Sequence, residues 1–303
     1  MPKPDAWVAR AQVWLGTLVE VALPPCEASE ARFATAFAAI ADVHRTMSAH
    51  EVTGDLARIA RESHVRTVFV HGDTWAVLEL AQRLWRDSRG AFDITIAPVL
   101  ARAGRLPIHA SGRATRAGLM EALTLIPGLG VRSAVPVGLD LGGIAKGHAV
   151  DRAVAALRAA GACAGRVNAG GDLRAFGDNR WMPVLVRHPA TPGRSVHLLD
   201  LCDAAVATSA DYFRDGRSDL VDPRSQCVQP FAGSVTVVAP TCALADGLTK
   251  VVALCGEESA GILARHGAHA FMLGDDATRT ATTCAAADAA TSTHLRLPVA
   301  TAA

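Results

Sequence analysis

An aspartate, a glycine pair and a lysine stand together at Asp140-Leu141-Gly142-Gly143-Ile144-Ala145-Lys146-Gly147, a segment that continues to Asp151. Three more segments share its character: Gly90-Ala91-Phe92-Asp93-Ile94-Thr95, Val167-Asn168-Ala169-Gly170-Gly171-Asp172 and Ala207-Thr208-Ser209-Ala210-Asp211-Tyr212. A fifth, Ala245-Asp246-Gly247-Leu248-Thr249-Lys250, opens a helix. Glycine pairs beside charged residues let the backbone approach a ligand and aim N–H groups at it. A glycine-rich turn leading into a helix also makes an anion site, because the first helical N–H groups are unpaired. Lys146 stands where such a helix starts and could contact a phosphate. The spacing is neither that of a P-loop nor that of a dinucleotide fingerprint. Taken alone, the segment reads equally well as a tight turn with a surface lysine. Asp140, Asn168, Asp172, Asp211 and Tyr212 each read as turn formers or as ligand contacts. Asp246 and Lys250 share a helix face and can form a salt bridge.

These segments need elements to hold them. Val13 to Leu23 reads as a strand entered through Leu15-Gly16-Thr17 and ended by Pro24 and Pro25. Phe33, Phe37, Ile40, Val43 and Met47 recur at helical spacing and predict a core-facing helix. Thr67–Val70 is a short β-branched run, and Asp73-Thr74 could cap a helix that closes at Gly90. A helix is expected over Lys146–Ala160 and another from Thr241 to Gly256. Strands are expected at Arg166–Asn168, Pro183–Arg187, Val196–Leu201 and Val235–Ala239. Strands and helices mix without a βαβ alternation, which argues for α+β. Residues 1–274 are expected to form one unit. Residues 275–303 are Ala/Thr-rich, with one strand at His294–Val299 and a loose tail.

The chain has 303 residues, half of them apolar, enough to bury a substantial core. Thirty basic residues against 29 acidic ones argue against nucleic acid or an anionic membrane as the main partner. Seven scattered cysteines with no C-x-x-C pair read as reduced thiols. The first 23 residues lack a continuous apolar core, so a cytoplasmic protein with no membrane span is expected.

Together and in this order, the segments resemble the ApbE family of flavin transferases, with its glycine-phenylalanine-aspartate stretch, D-L-G-G-I-A-K-G, N-A-G-G-D, A-T-S-G-D-Y and A-D-A-L-x-T. Leu15-Gly16-Thr17 resembles that family's early M-G-T, and Met47-Ser48 its M-S-x-Y, with His50 at the aromatic position. The resemblance runs from about Leu15 to about Leu273. It implies a two-lobed α+β unit with largely antiparallel mixed sheets flanked by helices, and a ligand cleft between the lobes. It implies FAD as substrate, with Leu15, His50, Ala91, Phe92 and Asp93 on the flavin side and Asp140, Lys146, Asn168 and Leu220 also in contact. It implies a Mg²⁺ on the pyrophosphate, held at Gly143 and by Asp246, with Thr249 and Lys250 beside it. The implied reaction is phosphoryl transfer. A Thr or Ser hydroxyl of an acceptor flavoprotein takes the FMN phosphorus, and AMP leaves.

Two positions depart from the family pattern. Lys250 stands where the family has a threonine four residues after the metal aspartate, and a protonated lysine cannot ligate Mg²⁺, so either Thr249 contributes instead, or the ammonium partly replaces the metal's charge, or the pair is structural and the metal site is weakened. Asp219-Leu220-Val221-Asp222-Pro223 stands for the family's H-I-I-D-P, so Asp219 replaces a histidine and could act as a base or add a metal ligand, although its charge would repel a pyrophosphate. Ser209-Ala210 for serine-glycine is a milder change. Three functions remain open at this point: an FMN transferase with an altered metal site, an FAD pyrophosphatase, and a non-catalytic FAD-binding module.

Overall fold

A computed structural model of the chain describes residues 7–177, 181–188, 191, 193–210, 219–231, 233–274, 279–282 and 294–297. In chain order the first half forms β1 (Val8–Trp14), β2 (Thr17–Leu23), α1 (Glu30–Met47), α2 (Asp55–Glu62), β3 (Val68–Phe69), α3 (Gly72–Asp87), α4 (Ala97–Arg102), β4 (Leu123–Ile126), β5 (Gly130–Ser133) and α5 (Ala145–Ala159). The second half adds β6 (Gly165–Ala169), β7 (Asp172–Phe176), β8 (Met182–Arg187), β9 (Ser195–Leu201), β10 (Ala205–Ala210), β11 (Val221–Asp222) and β12 (Cys227–Val228). It closes with β13 (Ser234–Ala239), α6 (Cys242–Cys255), α7 (Ala260–Arg265), β14 (His269–Leu273), β15 (Arg279–Thr282) and β16 (Leu295–Arg296).

Eight strands make the main sheet, in the order β1-β2-β6-β7-β10-β13-β14-β15. Its pairings are antiparallel. Its most buried strand is β13, sixth in that order, whose six residues are all buried. Alternate residues of the central strands face two different cores. Ala205, Ala207, Val235, Val237 and Ala270 join the large core with α1, α5 and α6. Val206, Val238, Phe271 and Leu273 turn the other way, onto Leu198, Leu199 and Leu201 of β9 and Leu295 of β16. The result is a helical layer, a central sheet and a small second sheet, an α+β arrangement driven by two-sided burial of the middle strands.

Local chemistry accounts for most element ends. Phe33, Phe37, Ile40, Val43 and Met47 do form the buried stripe of α1, whose first turn is capped by Ser29 Oγ accepting from Arg32 N at 3.3 Å. The strand expected over Val13–Leu23 is instead two strands. Leu15 and Gly16 form a two-residue turn with φ of 54° and 73°, and Trp14 pairs with Thr17 across it. Both turn residues need positive φ, as a hairpin twisted like its strands requires. The helix expected to be capped at Asp73-Thr74 begins at Gly72, with His71 as its cap. Buried Asp55 accepts from His71 N at 2.8 Å and from Thr74 Oγ1 at 2.7 Å, so a distant carboxylate fixes that helix start. The strand expected at His294–Val299 appears as Leu295–Arg296, paired with Asp200 and Leu201 of β9; residues 298–303 lie outside the described residues, as do Asp211 and Tyr212. Among the described residues no helix is long and apolar enough to cross a membrane.

Candidate active site

Several turns lie at one end of the main sheet. The β1–β2 turn is there, and so is the β6–β7 turn, where Ala169 pairs with Asp172 around Gly170 and Gly171. Asn168 shapes that second turn by accepting from Gly171 N at 3.0 Å. A Cβ on Gly170, whose φ is 64°, would lie 2.5 Å from Thr17 Oγ1. Only glycine lets the two turns touch there. The end of β10 joins them, with Thr208 N donating to Gly171 O at 3.2 Å.

Two helices close over this end. The turn Asp140–Gly143 leads into α5, and Lys146 lies in its first turn, as the glycine pair and lysine suggest. Helix α6 crosses α5 at Gly147, where a Cβ would lie 2.2 Å from the Cys242 carbonyl oxygen. Asp151 of α5 fastens the crossing. Its carboxylate accepts from Cys242 N at 3.0 Å and Ala243 N at 2.9 Å, the first free N–H groups of α6, and pairs with Arg174.

The crossing assembles a buried charge cluster. Lys146 Nζ lies 2.8 Å from Asp172 Oδ2 and 3.1 Å from Asp246 Oδ2, and donates to Gly142 O at 3.2 Å. Asp246 Oδ2 also accepts from Gly147 N at 3.3 Å, at the start of α5. Asp246 Oδ1 takes Lys250 Nζ at 2.6 Å. Lys250 Nζ donates further to Ser209 Oγ at 2.9 Å and Thr249 Oγ1 at 3.0 Å. Thr249 spends its own proton on Asp246 O at 2.7 Å, so Ser209 is the donor in the 2.8 Å contact between the two hydroxyls. Half-buried Asp140 stands at the edge of the cluster, within the electrostatic reach of Lys146, Lys250 and His50.

These surroundings move the ionisations apart. Burial works against the charge of Asp246, but Lys146 and Lys250 overcome it and hold the carboxyl well below its usual range. Burial raises Asp172, and the neighbouring Asp246 charge raises it further, to about 7. Lys146 loses solvation too, yet Asp172 and Asp246 push its titration above the ordinary lysine value. Burial likewise raises Asp140. The cluster therefore sets the Lys146 ammonium against one firmly ionised carboxylate, Asp246, and others that ionise less readily.

The remaining sequence candidates fall in three places. Ala91 and Phe92 are buried in the core, where Phe92 packs beneath Gly247, the neighbour of Asp246. Asp93 ties its own loop together, accepting from Thr95 N at 2.7 Å, Thr95 Oγ1 at 2.6 Å and Met120 N at 3.3 Å. A cavity of about 490 Å³ opens beside it, lined also by Trp85, Gly90, Arg116 and Gln226 and by none of the clustered lysines and aspartates. Asp219 lies 3.6 Å from Arg105, and Leu220 O accepts from Gln229 N at 2.7 Å. His50 is exposed, with its N–H donating to Ser48 Oγ at 3.2 Å.

The residues expected to hold Mg²⁺ do not fit that ion as they stand. Mg²⁺ requires octahedral oxygen ligands at about 2.1 Å. Both oxygens of Asp246 already bind ammonium groups, and the Thr249 hydroxyl is engaged by three partners. The Lys250 stem lies against Gly143, with Cε 3.1 Å from where a Cβ would stand. Gly143, Asp246 and Thr249 are thus gathered around a nitrogen cation. Two participants carried weaker signals in the sequence: Asp172, which reads equally well as a turn former, and Ser209, which stands in the A-T-S segment.

This geometry can be set beside known proteins. Residues 15–272 match the ApbE family. The chain belongs to that family. The FAD:protein FMN transferase of Haemophilus influenzae is 30% identical to it over 251 residues, covering 74% of this chain and 72% of that protein. The FAD:protein FMN transferase of Vibrio cholerae is 31% identical over 239 residues, covering 72% and 71%. The solved structure of the flavin transferase ApbE from Vibrio cholerae superposes with a TM-score of 0.79 at 26% identity, covering 92% of this chain and 97% of that one. The ApbE protein of Thermotoga maritima shares the fold, with a TM-score of 0.76 at 22% identity over 91% and 97% of the two chains. Within this ApbE fold, the start of β7 (Asp172), the end of β10 (Ser209), the first turn of α5 (Lys146) and the middle of α6 (Asp246, Thr249 and Lys250) carry the charge cluster.

Proposed function

We propose that the chain is an FAD:protein FMN transferase. The observation that carries this reading is the meeting of Lys146, Lys250 and the α5 N-terminus at one end of the main sheet, in a fold shared with flavin transferases. Phosphoryl transfer needs positioning and charge neutralisation more than covalent help from the enzyme. In this reading FAD lies along the cluster with its pyrophosphate facing Lys146, and its flavin end takes the side of Asp93 and the adjacent cavity. Leu15 and His50 border the flavin, and Asp140 and Asn168 shape the turns beneath the ligand. A Thr or Ser hydroxyl of an acceptor flavoprotein attacks the FMN-side phosphorus. The new bond is O–P, and the bond that breaks joins that phosphorus to the bridging oxygen, which leaves with its electron pair as AMP. The hydroxyl proton passes to a base, for which Asp219 is the candidate. No step is routed through Mg²⁺, because the residues gathered around Asp246 do not fit it.

The test is incubation with FAD and a flavoprotein acceptor that carries an exposed Thr or Ser. The acceptor should gain the mass of FMN while AMP appears in equal amount. AMP without acceptor would show a pyrophosphatase, and FAD binding with no AMP a flavin-binding module.

A further inference from the structure

The cage around Lys250 goes beyond the general reading, although it rests on the proposal that this site binds FAD. An ammonium has three N–H donors and no acceptor. All three are spent here on oxygens, those of Asp246, Ser209 and Thr249, at 2.6, 2.9 and 3.0 Å. The four-carbon stem is accommodated as well. It crosses the face of Gly143, where a Cβ would come within 3.1 Å of Cε and 3.5 Å of Cγ. Lys250 is therefore a cation fixed from both ends, beside an aspartate that has no solvent exposure. Without Lys250, Asp246 and Asp172 would share the single ammonium of Lys146, and the excess negative charge would repel an incoming pyrophosphate.

We propose that the Lys250 ammonium is the built-in cation of this site, neutralising Asp246 so that FAD is held between Lys146, Lys250 and the α5 N-terminus without a divalent metal. The spent N–H groups define how it acts. Lys250 contributes a stationary charge, as does Lys146, whose ammonium is likewise engaged by Asp172, Asp246 and Gly142 O, and each lysine keeps about a quarter of its side chain exposed. Such a site would bind and turn over FAD when divalent ions are scarce.

The experiment is titration of the full-length protein with FAD, followed by flavin fluorescence, in EDTA and in saturating MgCl₂. Electron paramagnetic resonance of Mn²⁺, with and without FAD, gives a readout independent of activity. The wild type should bind FAD with affinities that agree within about twofold in the two conditions, and should add no protein-held Mn²⁺. Lys250→Thr should weaken FAD by about tenfold or more in EDTA and recover with Mg²⁺, as expected when a charged hydrogen-bonding partner is removed. Lys250→Arg keeps the charge and should stay insensitive to EDTA. FAD binding by the wild type only with Mg²⁺, together with protein-held Mn²⁺, would overturn the inference and leave the transferase reading standing. No FAD binding in either condition would overturn both. Because the wild type alone separates these results, poor folding of a variant does not blunt the test.

Discussion

Replacing Gly147 by alanine would put a methyl group 2.2 Å from the Cys242 carbonyl oxygen, 2.5 Å from its carbon and 2.7 Å from Ala243 N. Non-bonded carbon contacts settle near about 3.5 Å or more, so α6 would have to retreat by about 1 Å. The obstacle is backbone and cannot rotate aside, which puts the overpacking cost at the upper end of about 1–3 kcal/mol. The same movement stretches the bonds from Cys242 N and Ala243 N to Asp151, and losing such a cap costs about 1 kcal/mol. Alanine returns up to about 1 kcal/mol through its better helix propensity. The net loss is about 2–3 kcal/mol, which in a chain of this size lowers Tm by about 3–5 °C. A displacement of about 1 Å at α6 also parts Lys146 from Asp246 and should reduce turnover about 100-fold. Calorimetry and AMP release from FAD measure the two effects. Gly261→Ala in α7 is the control, since nothing lies within 4 Å of its added Cβ, and it should match the wild type or exceed it slightly. A Gly147→Ala protein with unchanged Tm and turnover would refute the close crossing as the device that aligns the cluster.

Asp151→Ala should cost about 3 kcal/mol in chemical denaturation, because it removes two caps from α6 and leaves Arg174 without its partner. Leu15→Gly should raise stability by about 1 kcal/mol by relieving the left-handed leucine at φ 54°, and should weaken FAD binding if that side chain borders the flavin; unchanged binding would remove Leu15 from the site. The Asp172 carboxyl, raised from 3.8 to about 7 in the folded state by burial and the Asp246 charge, binds its proton more tightly there than in the unfolded chain. Its stabilisation is complete below about pH 4 and is lost as pH rises through about 7, so urea unfolding of Asp172→Asn should lack that part of the decline. Asp246→Ala should destabilise the chain by about 3–5 kcal/mol as well as stop turnover, because it strands two partly buried ammonium groups; loss of turnover with an unchanged urea midpoint would contradict the buried pairings.

The parts of the site that were legible in the sequence are those whose demands are local. Asp140–Gly143 followed by Lys146 announces a turn, a helix start and a cation within seven residues, and Asn168–Asp172 announces a turn, though not the strand β7 that follows it. The stripe of α1 is equally local, since five apolar residues at helical spacing permit one buried face. What was hidden depends on distance. The turn at Leu15-Gly16 carries a leucine in a conformation that leucine avoids, so the expected strand ran through it from Val13 into β2 and missed most of β1. Asp55 fixes the start of α3 from 16 residues away, and Asp151 fixes α6 from 91 residues away. Neither contact leaves a mark in its own neighbourhood.

Lys250 shows how far one substitution can be followed by each route. The i, i+4 spacing exposes its pairing with Asp246, and the family pattern exposes that a threonine belongs there. Together they raise the choice between Thr249 as a replacement ligand and an ammonium in place of the metal's charge, and neither decides it. Lys250 also meets Ser209, 41 residues earlier in the chain, and crosses Gly143, which lies in the turn before α5. A lysine that merely paired with Asp246 on an exposed helix face would be an ordinary surface salt bridge worth little. The same pair at an aspartate with no solvent exposure, closed by two hydroxyls and a glycine face, fixes a charge at the place where the family resemblance puts a metal. Burial and the two outside partners, rather than the spacing, turn the substitution from a damaged metal site into a cation site of a different kind.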